Sequence, residues 1–126
     1  MSRIEQLQSF LKESPKDSFI TFAIAKEYEK ADDLVKAEEY YRTIEQNEPE
    51  YVGMYYHLGK VLFNQNRLQE AWDIYTAGMA IAKSQKDQHA LSELAGARME
   101  IDEDDINEWL QEYMNWRMPK LMSFGE

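Results

Sequence analysis

The fold is decided by residues 55 to 75, which read YYHLGKVLFNQNRLQEAWDIY. Large apolar side chains recur at spacings of three and four, as at Leu58 and Leu62, and this spacing is typical of one face of an amphipathic helix. The pattern resumes at Leu68 after a short polar turn at residues 64 to 66, and it continues to Tyr75. The stretch therefore predicts two helices joined by a tight turn, which is an antiparallel helix pair.

The same pattern occurs 34 residues earlier in the chain. Small residues coincide at this offset, since Ala25 corresponds to Gly59 and Ala37 corresponds to Ala71. Small side chains let helix backbones come near contact, so their placement indicates a repeated packing geometry. The other coincident pairs are Pro15 and Pro49, Lys26 and Lys60, Leu34 and Leu68, and Tyr41 and Tyr75.

These residues resemble the tetratricopeptide repeat, which places a bulky residue, Leu-Gly and Tyr on one helix, and Ala, Phe and Pro on the next. The two copies read Tyr55-x-x-Leu58-Gly59-x-x-Leu62 with Ala71-x-x-x-Tyr75, and Thr21-x-x-Ile24-Ala25-x-x-Tyr28 with Ala37-x-x-x-Tyr41 and Pro49. The resemblance implies an all-α solenoid of antiparallel helix pairs in a right-handed superhelix. It implies two full repeats, a half repeat at residues 2 to 13, and a capping helix at residues 87 to 101. Thr21 and Gly78 depart from the pattern, so we expect the packing to differ locally there.

The length of 126 residues suits one core. We predict a repeat domain at residues 1 to 101, followed by an acidic, aromatic C-terminal helix and tail at residues 102 to 126. Three options are open for this tail: a seventh helix packed on Leu91 and Leu94, a homodimer contact, or a segment that masks the groove described below. Its predicted contact residues are Ile106, Trp109, Leu110, Tyr113 and Trp116.

The net charge of −10 opposes binding to nucleic acid or to an anionic membrane surface. The absence of cysteine excludes disulfide frameworks and thiolate metal sites. No apolar run approaches the ~20 residues that a membrane span requires. We therefore expect a soluble, cytoplasmic protein.

Residues that could carry catalysis or bind a metal are nearly absent. His57 and His89 have no serine, cysteine or carboxylate at a motif spacing, and no glycine-rich phosphate loop occurs. The acidic run at residues 102 to 105 does not make a calcium loop, because the sixth and twelfth positions hold Asn107 and Tyr113 instead of glycine and glutamate. We predict no catalytic residues, no metal and no cofactor, so the chain is expected not to be an enzyme.

The resemblance implies a concave groove lined by the first helices of successive pairs. An aromatic row beside a basic row in this groove favours an acidic or carboxylate-bearing peptide or protein partner with an apolar anchor. The alternative function is a self-assembling scaffold or homodimer component that contacts its copies through the C-terminal helix. The predicted groove residues are Phe19, Phe22, Lys26, Lys30, Tyr56, Lys60, Phe63 and Asn64.

Overall fold

The computed structural model describes residues 1–101, 111–112 and 114–115 of the chain. Residues 1–101 form helices with no strand among them, which confirms the all-α prediction. The helices are α1 (Arg3–Glu13), α2 (Ser18–Lys30), α3 (Leu34–Asn47), α4 (Gly53–Asn64), α5 (Leu68–Ser84) and α6 (Gln88–Met99).

Polar side chains cap the N-termini of four of these helices. The backbone N–H groups at the first turns of α1, α2, α3 and α6 donate to Ser2, Asp17, Asp33 and Asp87, at distances from 3.0 to 3.2 Å. These side chains satisfy donors that have no partner inside the helix. The caps therefore fix the residues at which these four helices begin.

Three tight turns share one backbone geometry. Asp32, Asn66 and Lys86 adopt φ values of 62°, 62° and 58°, in the left-handed region. In each turn the next N–H donates to the carbonyl oxygen five residues back, as from Asp33 to Tyr28 at 2.9 Å. This arrangement closes a helix so that the chain reverses direction. The turn between α5 and α6 therefore matches the turns inside the pairs α2–α3 and α4–α5.

The helices are arranged as a solenoid. Each helix packs on the next in the chain, and α2 also packs on α4, as α4 packs on α6. The helices joined by short turns are antiparallel, so α2, α4 and α6 run in the same direction and form one row. This row makes up one wall of the molecule, as the prediction of helix pairs requires.

The small residues lie where helices are closest. Ala25, Ala37 and Ala71 are fully buried. A Cβ atom on Gly59 would overlap the ring of Tyr75 on the partner helix. Only glycine therefore permits this approach of α4 and α5, which confirms the interpretation of the repeated small residues.

The two departures from the repeat pattern have separate physical explanations. A Cβ on Gly78 would lie 2.5 Å from Tyr55 Cβ and 3.1 Å from Leu94 Cδ1, so the missing side chain makes room for neighbours on α4 and α6. Thr21 is buried, and its hydroxyl donates to the carbonyl oxygen of Asp17 at 2.9 Å. The hydroxyl is thus satisfied locally where the pattern has a bulky residue.

Candidate functional site

The inner wall formed by α2 and α4 carries an aromatic cluster toward the N-terminal ends of these helices. The Phe22 ring lies 5.4 Å from Tyr51 and 5.3 Å from His57, measured between ring centroids. Tyr56 contacts the same imidazole edge-on at 5.3 Å, and Tyr41 stacks on it at 5.8 Å. His57 is therefore the centre at which aromatic side chains of three helices meet.

A hydrogen-bonded group lies beneath this cluster. Tyr41 donates its hydroxyl to Glu29 Oε1 at 2.7 Å, and His57 Nδ1 lies 3.1 Å from the same oxygen. Because a carboxylate can only accept, the imidazole donates from Nδ1. Glu29 on α2 thus ties together α3, through Tyr41, and α4, through His57.

The charge of Glu29 is stabilised by these partners. Burial raises the pKa of Glu29, but the hydrogen bonds from His57 and Tyr41, together with Lys60 Nζ at 3.9 Å, outweigh burial and hold its pKa below the ordinary 4.5. Burial also raises the pKa of Tyr41, and the bond to Glu29 raises it further. The group therefore holds one carboxylate anion, and its phenol stays neutral.

A cavity of about 540 Å³ opens at the C-terminal halves of α2 and α4. Its wall combines three lysines and an asparagine with three carboxylates, the imidazole and one leucine. The lining residues are Lys26, Glu27, Glu29, Lys30, Asp32, Leu34, His57, Lys60 and Asn64.

Two of the lysines present charge to the cavity without an acidic partner in the described part of the chain. Within residues 1–101, no carboxylate oxygen lies within 4.0 Å of the ammonium of Lys26 or Lys30. Lys26 Nζ instead lies 5.6 Å above the Phe22 ring. Glu27 forms an ion pair with Arg3 at 2.7 Å, so a side chain of α1 neutralises one of the cavity's carboxylates. The rim of the cavity can therefore attract an anion.

The structure brings together most of the predicted groove residues. Lys26, Lys30, Lys60 and Asn64 line the cavity itself. Phe22 and Tyr56 lie in the adjoining aromatic cluster, where both contact the His57 ring.

The two remaining predicted groove residues lie outside the cavity lining. Phe19 is 73% exposed near the start of α2. Phe63 is half-buried and packs on the hydrophobic core. The predicted tail contacts, Ile106, Trp109, Leu110, Tyr113 and Trp116, lie outside the described residues.

Sequence reasoning missed the pairing of His57 with Glu29. The 34-residue offset aligns Glu29 with Phe63, yet its partner His57 comes six residues earlier (63 − 57 = 6). At 1.5 Å per residue this is a displacement of about 9 Å along the helix. The stagger between α2 and α4 therefore hid the contact, and a search for carboxylates near His57 on the preceding first helix could have found it.

No helix in the described residues is long and apolar enough to cross a membrane. Among the same residues, no group of three or more histidine, aspartate or glutamate side chains is placed to hold a metal ion.

The row of stacked helix pairs with a lined inner wall defines a helical-repeat protein. Solved structures show which kind. The chain is similar to a tetratricopeptide repeat domain protein from Salinibacter ruber, at 36% identity and a TM-score of 0.65 with its solution structure. That match covers 69% of this chain and 88% of the other. The crystal structure of a Salinibacter ruber tetratricopeptide repeat domain protein matches at 35% identity and a TM-score of 0.65, and it covers 68% of this chain and 94% of that one.

A protein from Bordetella parapertussis has the same fold, with a TM-score of 0.75 at 24% identity, over 86% of this chain and 94% of that one. No family model matches the chain, and no curated protein matches it in sequence. The Salinibacter likeness nevertheless identifies the family: the chain belongs to the tetratricopeptide repeat proteins. Domains of this family are in general protein-interaction modules.

Proposed function

We propose that the chain is a non-catalytic interaction module that binds an acidic segment of a protein partner between α2 and α4. One observation carries this proposal: the cavity with Lys26 and Lys30 on its rim adjoins the aromatic cluster around His57. A partner could therefore bury an apolar side chain and pair a carboxylate in one site.

The spacing of these features sets the size of the bound segment. Phe22, Lys26 and Lys30 are four residues apart on α2, which is about 6 Å per step along the helix. An extended peptide covers at most about 3.6 Å per residue, so ~4 residues span from the aromatic ring to the second lysine. We expect an apolar anchor with an acidic residue two to four positions away, by the same estimate.

The charges of the cavity favour an acidic partner despite its three carboxylates. Glu29 already receives hydrogen bonds from Tyr41 and His57, and Glu27 is paired with Arg3. Asp32, the third carboxylate, is exposed and forms no ion pair within residues 1–101. Within the same residues Lys26 and Lys30 also form no ion pair, so two lysines face one carboxylate at the cavity. The Glu29 group also links three helices, so its role is to hold the wall in shape.

Selection from a random peptide library on the immobilised full chain tests this proposal. The groove variant is Lys26→Glu with Lys30→Glu, and the control is Lys12→Glu with Lys83→Glu, two exposed lysines outside the cavity lining. Both double variants change the net charge equally. We expect the unmodified chain and the control to enrich peptides with an acidic residue near an aromatic or aliphatic one. The groove variant should bind these peptides at least about tenfold more weakly.

Recovery of the same peptides with the same affinity on all three proteins would overturn the groove assignment. Enrichment of basic peptides on the unmodified chain would overturn the acidic preference.

A further inference from the structure

The chain carries in its own C-terminal segment the chemistry that the groove is suited to bind. Residues 102 to 116 read DEDDINEWLQEYMNW. They hold six acidic residues and three aromatic ones, with no lysine or arginine. A negatively charged segment with aromatic anchors complements a cavity rimmed by lysines beside an aromatic cluster.

The described residues 1–101 end at the lysine end of the groove. Because α2, α4 and α6 run in the same direction, the C-terminal end of α6 lies on the same side as Lys30 and Asn64, which end α2 and α4. Ile101 is 2% exposed, so the core fixes the point from which the segment starts. The first residues beyond this point are the four acids at 102 to 105.

The order of side chains along the segment matches the order of features along the groove. Going away from Ile101, the segment presents its run of four acids first and its aromatic residues at positions 109, 113 and 116. From the same end, the groove presents its lysine-rimmed cavity first and the aromatic cluster around His57 farther along. A segment that turns back along the wall therefore places each kind of side chain against its complement.

The distances allow this contact within one molecule. Packed helices are 8–10 Å apart, so α2 lies about 20 Å from α6, with α4 between them. Six or seven extended residues span about 20 Å. The acids at 102 to 105 can thus reach Lys60 on α4, and Glu108 can reach Lys26 on α2.

We propose that residues 102 to 116 occupy the groove in cis and that an external partner must displace them. This regulation rests on the proposed function, because it uses the same groove. A tether of this length gives an effective concentration in the millimolar range, so even a weak contact keeps the groove largely filled. The segment also models the external partner: acidic residues followed by aromatic ones.

A spin label on the full chain locates the segment. The sequence contains no cysteine, so Asn107→Cys creates a single attachment site. We expect the label to broaden the amide signals of Lys26, Lys60 and Asn64, whereas those of Glu39 and Thr43, both exposed on α3, stay sharp. Broadening confined to α6, or spread evenly over the molecule, would overturn the proposal.

A mixed sample separates contact in cis from contact between copies. Spin-labelled chain without isotope is mixed with isotope-labelled chain without the spin label. We expect no broadening of the groove signals in this mixture. Broadening there would overturn the intramolecular contact and support a homodimer instead.

Competition distinguishes this proposal from the proposed function. Replacing the acids at 102 to 105 by Asn and Gln should let library-selected peptides bind at least about tenfold more tightly than they bind the unmodified chain. The control variant Lys12→Glu with Lys83→Glu, which reverses two charges outside the groove, should bind the peptides with the same affinity as the unmodified chain. Equal affinity with and without the acids would overturn masking but leave the groove function intact. If the spin label finds the segment in the groove yet no peptide is selected, masking stands and binding of an external partner fails.

Discussion

The helix pairs α2–α3 and α4–α5 are built alike where helices touch and differently where they face the inner wall. Tyr41 and Tyr75 occupy equivalent positions, and both are buried. The inner-wall position four residues past the small residue is Glu29 in the first pair and Phe63 in the second. Glu29 accepts a hydrogen bond from Tyr41, whereas Phe63 packs on the core. The residues at which helices touch are thus alike in the two pairs and preserve the fold. The residue at the inner-wall position, Glu29 or Phe63, decides whether the wall is polar there.

The pairs also differ in how closely their helices approach. Ala25 in the first pair corresponds to Gly59 in the second, where even one Cβ atom would overlap Tyr75. Ile44 corresponds to Gly78, whose missing side chain admits Tyr55 and Leu94. Both glycines of the second pair therefore lie where a single added carbon atom would overlap a neighbouring side chain.

The largest effect is expected from Gly59→Ala. The new methyl group overlaps the Tyr75 ring between packed helices, and overpacking of this kind costs about 3 kcal/mol. Gly96→Ala is the matched control, because it lies within α6 and meets no atom within 4 Å. It should stabilise the chain by about 0.5–1 kcal/mol through helix propensity. Urea unfolding of both variants measures the difference, and an equal effect of the two would contradict the close approach of α4 and α5.

This contrast explains what the sequence could predict. Small residues at a fixed offset predict helix contacts within a pair, because the turn holds both helices in one register. The prediction of close helix contacts at Gly59 and Ala71 is therefore confirmed. The pairing of Glu29 with His57 spans two pairs, and the 34-residue offset does not reveal it, because packing sets the stagger between α2 and α4. Lys26 and Lys60 were predicted because they follow the repeat, whereas the hydrogen-bonded group around Glu29 does not follow it.

Glu29→Gln should have an intermediate effect, because it removes the anion from a group of three linked side chains. We expect a loss of about 2 kcal/mol at pH 7, since hydrogen bonds to a charged group contribute about 1.5–3 kcal/mol. The pKa of Glu29 is lower in the folded chain than its ordinary 4.5. The folded state thus binds this proton less readily than the unfolded state, so the stabilisation is present above pH 4.5 and is lost as the pH falls through the lowered pKa.

Unfolding of both proteins at a series of pH values checks this sign. The difference between the unmodified chain and Glu29→Gln should be constant near neutrality and should shrink below pH 4.5. Glu39→Gln is the control, because Glu39 is exposed on α3 and its side chain forms no hydrogen bond within residues 1–101. A difference that grows as the pH falls would contradict the bound carboxylate.

The smallest effect compares the two equivalent tyrosines directly. Tyr41→Phe removes the hydroxyl that donates to Glu29 at 2.7 Å and should cost about 1.5 kcal/mol, because the carboxylate loses a partner in a mostly buried position. Tyr75→Phe should cost less than about 0.5 kcal/mol, since no side-chain hydrogen bond of Tyr75 occurs in the described part of the chain.

A double-mutant cycle separates a general tyrosine effect from the Glu29 contact. In the Glu29→Gln background, Tyr41→Phe should lose most of its cost, whereas Tyr75→Phe should be unchanged, because only the first hydroxyl is coupled to the carboxylate. Equal costs for both tyrosines in both backgrounds would mean that the Tyr41 hydroxyl is not coupled to Glu29. The two pairs would then be held together in the same way, and the Glu29 carboxylate would be stabilised without help from α3.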